Sequence, residues 1–205
     1  VVEKAGVLNL GVEGLMIVGA IAGFAAMIST GSHFAGVVAA IIGGMLMSLI
    51  FAVMTQTLLA NQVATGLALT LFGLGLSALI GQSYSGLSGG EFPHLYIPGL
   101  SDLPVVGPLL FSLDYLVYLS IALTIGVWWF LGHTRTGLTL RAIGENHDAA
   151  HAIGYPVVLY RTGAILFGGA LAGLGGAYLS MVQAPLWVEK MSAGRGWIAL
   201  ALVVF

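Results

Sequence analysis

Phe34-Ala-Gly-Val-Val-Ala-Ala-Ile-Ile-Gly-Gly-Met-Leu-Met-Ser-Leu-Ile-Phe-Ala-Val-Met54 runs without a charged residue and with one hydroxyl, Ser48. About 20 apolar residues is the length an α-helix needs to cross a bilayer. The apolar residues are continuous and do not alternate with period two, so the stretch reads as a helix and not as a barrel strand. Similar runs occupy 7–28, 63–80, 115–131 and 164–181, and a sixth opens near Trp197. Composition points the same way: the mean hydropathy is +1.03, and 59% of residues are hydrophobic, with 31 glycines. This is the profile of an integral membrane protein. The expected fold class is therefore all-α, a polytopic transmembrane bundle of about six spans in one domain over 1–205. Val1 and Phe205 both read as cut ends, Phe205 inside an apolar run, and no leader peptide can be read from such a start.

Several functions are excluded at once. A net charge of -2 gives no electrostatic footprint for a nucleic-acid partner. The absence of cysteine removes disulfides, thiolate zinc sites and iron–sulfur clusters. A P-loop needs Gly-x-x-x-x-Gly-Lys-Ser/Thr, and neither lysine, Lys4 or Lys190, sits in one. Gly194-x-Gly-x-x-Ala199 has the look of a dinucleotide fingerprint, but no strand precedes it and no βαβ unit follows. His147 and His151 have metal-ligand spacing on a helix but no third ligand. The acids lie in separate loops, so no paired-carboxylate or Ser–His–Asp site can be argued. No catalytic residue, metal or cofactor is expected in this chain.

Polar breaks set the order of spans. Ser29-Thr-Gly-Ser-His33 separates the first two, and Thr55-Gln-Thr57 with Asn61-Gln62 separates the next pair. The connection over 81–114 holds Pro93, Pro98, Pro104 and Pro108 and no Lys or Arg. The fourth stretch is flanked by Tyr115 and Tyr118 at one end and by Trp128 and Trp129 at the other, as headgroup boundaries favour. Between it and the fifth lies a polar segment, and Arg135, Arg141 and Arg161 make up half of the six Lys and Arg residues. Short Arg-rich loops stay on the cytoplasmic side. Lys4 then also falls inside, and 81–114 outside. Lys190 and Arg195 fall outside by the same count, against the rule.

Glu3-Lys-Ala-Gly6 precedes the first span, and Glu189-Lys-Met-Ser-Ala-Gly194 precedes the sixth. Five spans separate the two starts, so a second copy would run in the opposite direction. This suggests an inverted repeat, an architecture of transporters.

Within the polar segment, Leu138, Ala142, Ala149 and Ile153 recur at spacings of four, seven and four, one face of a helix. Such an amphipathic helix lies on a membrane surface or enters a groove in a partner. An ordinary solvated loop is the competing reading, and the pattern alone does not separate them. The stretch Leu140-Arg-Ala-Ile-Gly-Glu-Asn-His-Asp-Ala-Ala-His-Ala-Ile-Gly154 resembles the cytoplasmic coupling segment of ABC importer permeases of the branched-chain amino acid, simple sugar and nucleoside group. The matching positions are Arg141, Ala142, Gly144, Asn146, Ala149, Ala150 and Gly154, with Glu145 between them. Ala5-Gly-Val-Leu-Asn-Leu-Gly-Val-Glu-Gly14, Ile97-Pro-Gly-Leu-Ser-Asp-Leu-Pro-Val-Val-Gly-Pro108 and Ala193-Gly-Arg-Gly-Trp-Ile-Ala-Leu-Ala201 are similar to segments of the sugar and nucleoside branch.

The resemblance implies a permease subunit in a prokaryotic plasma membrane, with a coupling segment over 133–161 that docks a separate ABC ATPase. It further implies a second permease subunit, identical or not, and an extracytoplasmic solute-binding protein. Members of the group are longer, so a preceding span and several later ones are expected beyond this chain. A branched-chain amino acid permease shares the coupling pattern. A membrane scaffold or enzyme whose basic segment binds lipid or a regulator is the reading from another class. A glutamate in place of Gly144 is expected to block docking by carrying an unpaired charge into a packed groove.

Four residues are candidates for the solute path. Glu13 is costly inside a span, roughly 2.5–3.5 kcal/mol at a helix centre, so it lines or braces the path, or pairs with a neighbouring helix. Asn9 lies four residues before it, on the same face if both are helical. Gln56 and Asn61, with Gln62 beside them, suit sugar or ribose hydroxyls, and equally suit interfacial helix caps. Gly19-x-x-x-Gly23 and Gly169-x-x-x-Gly173 are expected to allow close helix approach.

Overall fold

The computed structural model describes residues 1–90, 92 and 113–204. A 3-10 turn at Glu3–Ala5 precedes α1 (Val12–Thr30), α2 (His33–Ala52) and α3 (Gln62–Gly81), and then come α4 (Tyr115–His133), α5 (Arg135–Glu145), α6 (His147–Ala152), α7 (Val157–Ala177) and α8 (Arg195–Val204). Two wider π-turns, Val53–Thr57 and Tyr178–Gln183, prolong α2 and α7. With these extensions five helices are long and apolar enough to cross a membrane. Isolated bridges pair Ser85 with Trp187 and Ser88 with Leu186. The similarity noted for 97–108, with Pro93, Pro98, Pro104 and Pro108, lies outside the described residues.

Helix ends are set by local chemistry. The side chains of Ser32, Asn61, Thr134 and Asn146 accept backbone N–H groups at the starts of α2, α3, α5 and α6. Each satisfies a donor that the helix itself cannot. Gly31 closes α1 at φ 68°, a left-handed turn that costs glycine little.

The centre of the bundle is α1, surrounded by α2, α3 and α7. Lipid is as apolar as leucine, so association depends on close packing and not on water exclusion. The glycines supply it. Gly19 meets the backbone of Gly173, and Gly14 meets that of Leu69 and Thr70. Gly44 faces the carbonyl of Gly169, and Gly23 faces that of Gly36. Phe24, Phe51, Ile17 and Ile165 fill the remaining space and are fully buried. Ser180 donates its hydroxyl to the Ala20 carbonyl at 2.8 Å, tying α1 to the end of α7.

Two expected boundaries move. The first span starts at Val12 and not at residue 7, because 7–11 is non-helical, ending in a turn with Gly11 at φ -78° and ψ 0°. Its backbone groups find side-chain partners on α3 and α8: Leu8 N–H donates to Gln62 Oε1 at 2.9 Å, and the Leu10 carbonyl accepts from Thr70 Oγ1 and Trp197 Nε1, each at 3.2 Å. Asn9 therefore precedes the helix, and the shared helical face expected for Asn9 and Glu13 does not form. The fifth span begins earlier than residue 164, at Val157, since its first turns pack against α5 and α6 instead of lipid.

Candidate functional site

The polar segment is two helices, not the one continuous face that its spacing suggested. Asn146 takes φ -150° and ψ 99°, which ends α5, and its side chain then accepts the Ala149 N–H at 3.0 Å to start α6. The break rotates the faces. Leu140, Ile143, Ala150 and Val157 turn inward, whereas Leu138 and Ile153 are 65% and 73% exposed. Ala142 and Ala149 are exposed as well, beside Arg141, Glu145, His147 and Asp148. Two large apolar side chains are thus turned out among small and charged ones. Gly154 closes the segment at φ 88°.

Gly144 does not belong to that outer surface. A Cβ there would strike the Lys4 carbonyl, and it would lie 3.0 Å from the Gly6 nitrogen. The end of α5 thus rests on the Glu3–Ala5 turn, and Arg161 Nε donates to the Ala5 carbonyl at 3.0 Å from α7. A glutamate at 144 would disrupt this internal contact first, so that substitution cannot report on docking. Ala142 and Ala149 are the positions that can.

The second assembly centres on Glu13. The side chain is 4% exposed and opens α1. Its Oε1 accepts from Ser192 Oγ at 2.5 Å and from Gly194 N–H at 2.8 Å. Its Oε2 accepts from Gly196 N–H at 2.7 Å. Both Gly194 and Gly196 lie at the start of α8, whose first N–H groups lack helical partners. The carboxylate therefore caps α8 while sitting in the first turn of α1, and both helix dipoles favour negative charge there. The chain bends sharply to aim these donors: Lys190, Ala193 and Gly194 take φ of 57°, 46° and 81°. The Gly194 and Gly196 N–H groups thereby converge on the carboxylate.

This junction lies within the bundle. Gly14 packs at the level of Leu69 and Thr70, about 12 Å along α3 from its start at 1.5 Å per residue. Trp187 packs on Gly81 at the far end of α3. The chain must therefore descend about 15 Å from Trp187 to Gly194. Irregular backbone at such depth is tolerated where protein surrounds it. The glycines closing the two similar runs, Gly6 and Gly194, are both left-handed, at φ 73° and 81°.

The other expected residues are satisfied locally. Asn9 is buried and its Oδ1 accepts the Gly11 N–H at 2.8 Å. Gln56 donates Nε2 to Thr55 Oγ1 at 3.1 Å, and Asn61 Oδ1 accepts the Ala64 N–H at 3.0 Å. Among the described residues no hydrogen bond joins Asn9, Glu13, Gln56 and Asn61 to one another. His147 Nε2 lies 3.3 Å from Asp148 Oδ1, and no group of three metal-ligating side chains occurs among the described residues. Sequence reading missed Gln62, Thr70, Ser192 and Trp197 as partners of 8–13. The repeated Glu-Lys runs were the only signal that brought 189–194 and 3–6 into one argument.

Across residues 1–205 the chain matches the family described as "Branched-chain amino acid transport system / permease component". It is 42% identical to a protein of Haloferax volcanii named as a candidate glucose ABC transporter permease, over 99% of this chain and 63% of that protein. It is 34% identical to a guanosine ABC transporter permease protein of Bacillus subtilis, over 99% of this chain and 67% of the relative. It is 32% identical to a nucleoside ABC transporter permease protein of Lactococcus lactis, over 99% and 68%. The chain thus spans about two thirds of the length of these relatives. No solved structure matches it significantly.

Proposed function

Because the chain belongs to the branched-chain amino acid transport system permease family, we propose that it forms the membrane-spanning subunit of an ATP-driven importer for sugars or nucleosides. The observation that carries this reading is α5–α6. It is a polar helix pair at one end of five apolar helices, with Leu138 and Ile153 turned out among exposed charges. On this reading a separate ABC ATPase receives that surface, with Arg141, Ala142, Glu145 and Ala149 at the contact. Asn146 and Gly154 shape its ends, and Ala150 and Gly144 seat it on the rest of the chain. An extracytoplasmic binding protein delivers solute to the opposite end, and a second permease subunit completes the pore. The site is a prokaryotic plasma membrane, crossed several times.

The internal contacts supply a route for coupling. A displacement of α5 presses on the Glu3–Ala5 turn through Gly144 and pulls on α7 through Arg161. The non-helical 7–11 segment joins that turn directly to the start of α1, where Glu13 holds α8. We assign Glu13 and Asn9 the role of bracing this broken entrance to the path, with Gln56 and Asn61 holding the helix ends near it. A sugar or nucleoside is favoured over a branched-chain amino acid by the names of the three relatives.

The test is co-purification of the full-length protein with its ATPase, together with uptake of radiolabelled glucose, guanosine and leucine. Ala142→Glu and Ala149→Glu should abolish ATPase association and uptake while leaving membrane insertion intact, since each buries an unpaired charge in the contact. Normal association in both variants would sink the docking assignment. Uptake of leucine alone would move the solute to the amino acid branch.

A further inference from the structure

Arg195 differs from the other cations of the chain. The count of spans left it outside, against the charge rule, yet it belongs to no outer loop. Gly194 and Gly196, on either side of it, both donate their N–H groups to Glu13. Gly14, next to Glu13, packs at the level of Leu69 and Thr70, so the backbone of Arg195 lies well inside the bundle. Its side chain is nevertheless exposed, and Nη1 donates to the exposed Gln183 Oε1 at 2.6 Å. Among the described residues that is the guanidinium's one hydrogen bond, and no carboxylate lies within ion-pair distance of it. The other arginines lie elsewhere: Arg161 donates to the Ala5 carbonyl, and Arg135 and Arg141 belong to the polar helix pair at the opposite end.

A cation at this depth is costly against lipid, and arginines within membrane spans face a bundle interior or a water-filled cavity. Escape to the outer surface is out of reach. The level of Trp187 is about 15 Å further along α3, more than an arginine side chain spans. The backbone on both sides is irregular as well. Gln183 ends the π-turn that prolongs α7, and Arg195 follows the left-handed residues Lys190, Ala193 and Gly194. π-turns recur at functional sites, and irregular backbone at membrane depth is accepted where it lines a cavity. A guanidinium carries five N–H donors and no acceptor, and Gln183 Oε1 is already engaged, which leaves its NH2. Together the two side chains therefore offer donors, and the ligand they fit is rich in acceptor oxygens.

We infer that Arg195 and Gln183 form a polar station on the solute path inside the membrane, where their N–H groups hold the hydroxyl, ring or carbonyl oxygens of a passing sugar or nucleoside. Neutral oxygens bind such donors weakly enough to be released again, as a path requires. The inference rests on the importer reading given above and adds to it the residues that grip the solute.

The test uses the full-length protein, freed of any cysteine beyond this segment and assembled in proteoliposomes with its ATPase and binding protein. Uptake of radiolabelled glucose or guanosine by Arg195→Cys should fall about tenfold, the effect of losing one charge-assisted hydrogen bond to the solute, while ATPase association persists. Aminoethyl methanethiosulfonate, which attaches an ammonium group, should react without detergent and restore much of the uptake. The neutral methyl methanethiosulfonate should react and restore none, and excess solute should slow both reactions. Leu71→Cys, next to Thr70 on α3 and 72% exposed, is the lipid-facing control and should stay unreactive. Parent-level uptake in Arg195→Cys, no reaction of its thiol from water, equal rescue by the two reagents, or equally fast reaction at Leu71→Cys would each overturn the inference. If Arg195→Cys does not fold, Arg195→Lys decides. Folded protein with reduced uptake is expected, and an unfolded lysine variant would show that Arg195 holds the chain and not the solute. The labelling needs no solute, so a parent that carries neither probe fails the importer reading, while access of water to position 195 still judges this one.

Discussion

Helices α1 and α4 are alike by sequence and opposite in structure. Each has 19 residues, and their mean hydropathies are 1.9 and 1.7. Yet 61% of the apolar window of α1 is buried against 6% for α4. Hydropathy measures compatibility with lipid, and both helices have it. What separates them is the spacing of small residues. Gly14, Gly19 and Gly23 lie along α1 and bring it against the backbones of three other helices. Gly126 and Gly132 of α4 have nothing within reach of a Cβ. In a membrane the helix that packs is the one whose side chains leave room for a partner.

The sharpest way to break this comparison is to add bulk to each helix. Gly19→Leu drives a side chain into the Gly173 backbone, which cannot move as a side chain can. Overpacking costs about 1–3 kcal/mol where side chains can relax and more where they cannot, so loss of folded protein in detergent chromatography is expected. Gly132→Leu on α4 should leave the elution profile and melting temperature unchanged. Equal damage from the two would remove the distinction.

A smaller effect is expected at the start of α1. Glu13→Gln keeps one oxygen for Ser192 and Gly194 but turns an amide NH2 toward the Gly196 N–H, leaving a buried donor unpaired. Such a loss costs about 1–3 kcal/mol, read as a lowered thermal midpoint of the purified full-length protein. Uptake should fall as well if the junction carries motion from α5. A midpoint and uptake both equal to the parent would show that Glu13 braces nothing.

Removing a single cap is milder. Asn61→Ala at the start of α3 should lower stability by about 1 kcal/mol, the usual value of such a cap, without affecting ATPase association. The smallest stability effect belongs to Ala142→Glu, within about 0.5 kcal/mol for an exposed site, even though partner binding should be lost. That pairing of intact fold with lost association is what distinguishes an outer surface from an inner contact. A comparable melting shift at Ala142 would mean it packs inside.

Much of this architecture was legible in the residues. Continuous apolar runs located the five long helices, since crossing length and lack of alternation are local properties. The Gly19–Gly23 and Gly169–Gly173 spacings pointed to close packing, and Gly19 and Gly173 do meet. The polar segment was readable as the part exposed to water. Its inner and outer faces were not, because the extended backbone at Asn146 resets the helical phase, and a count of residues assumes that the phase continues. Gly144 packs inward because it meets the turn at Lys4 and Gly6, which lies far away in the chain.

The sequence by itself determined the class of the protein, its number of long helices and the likeness to a transport family, all of which rest on composition, length and short-range pattern. Only the tertiary structure decided what Glu13 does. A lone acid in an apolar run demands donors, but the donors come from Ser192, Gly194 and Gly196, at the other end of the chain. Their approach depends on three left-handed residues that no periodicity announces. The helix start at Val12 was settled the same way, because Gln62, Thr70 and Trp197 satisfy a backbone that would otherwise have had to satisfy itself by coiling.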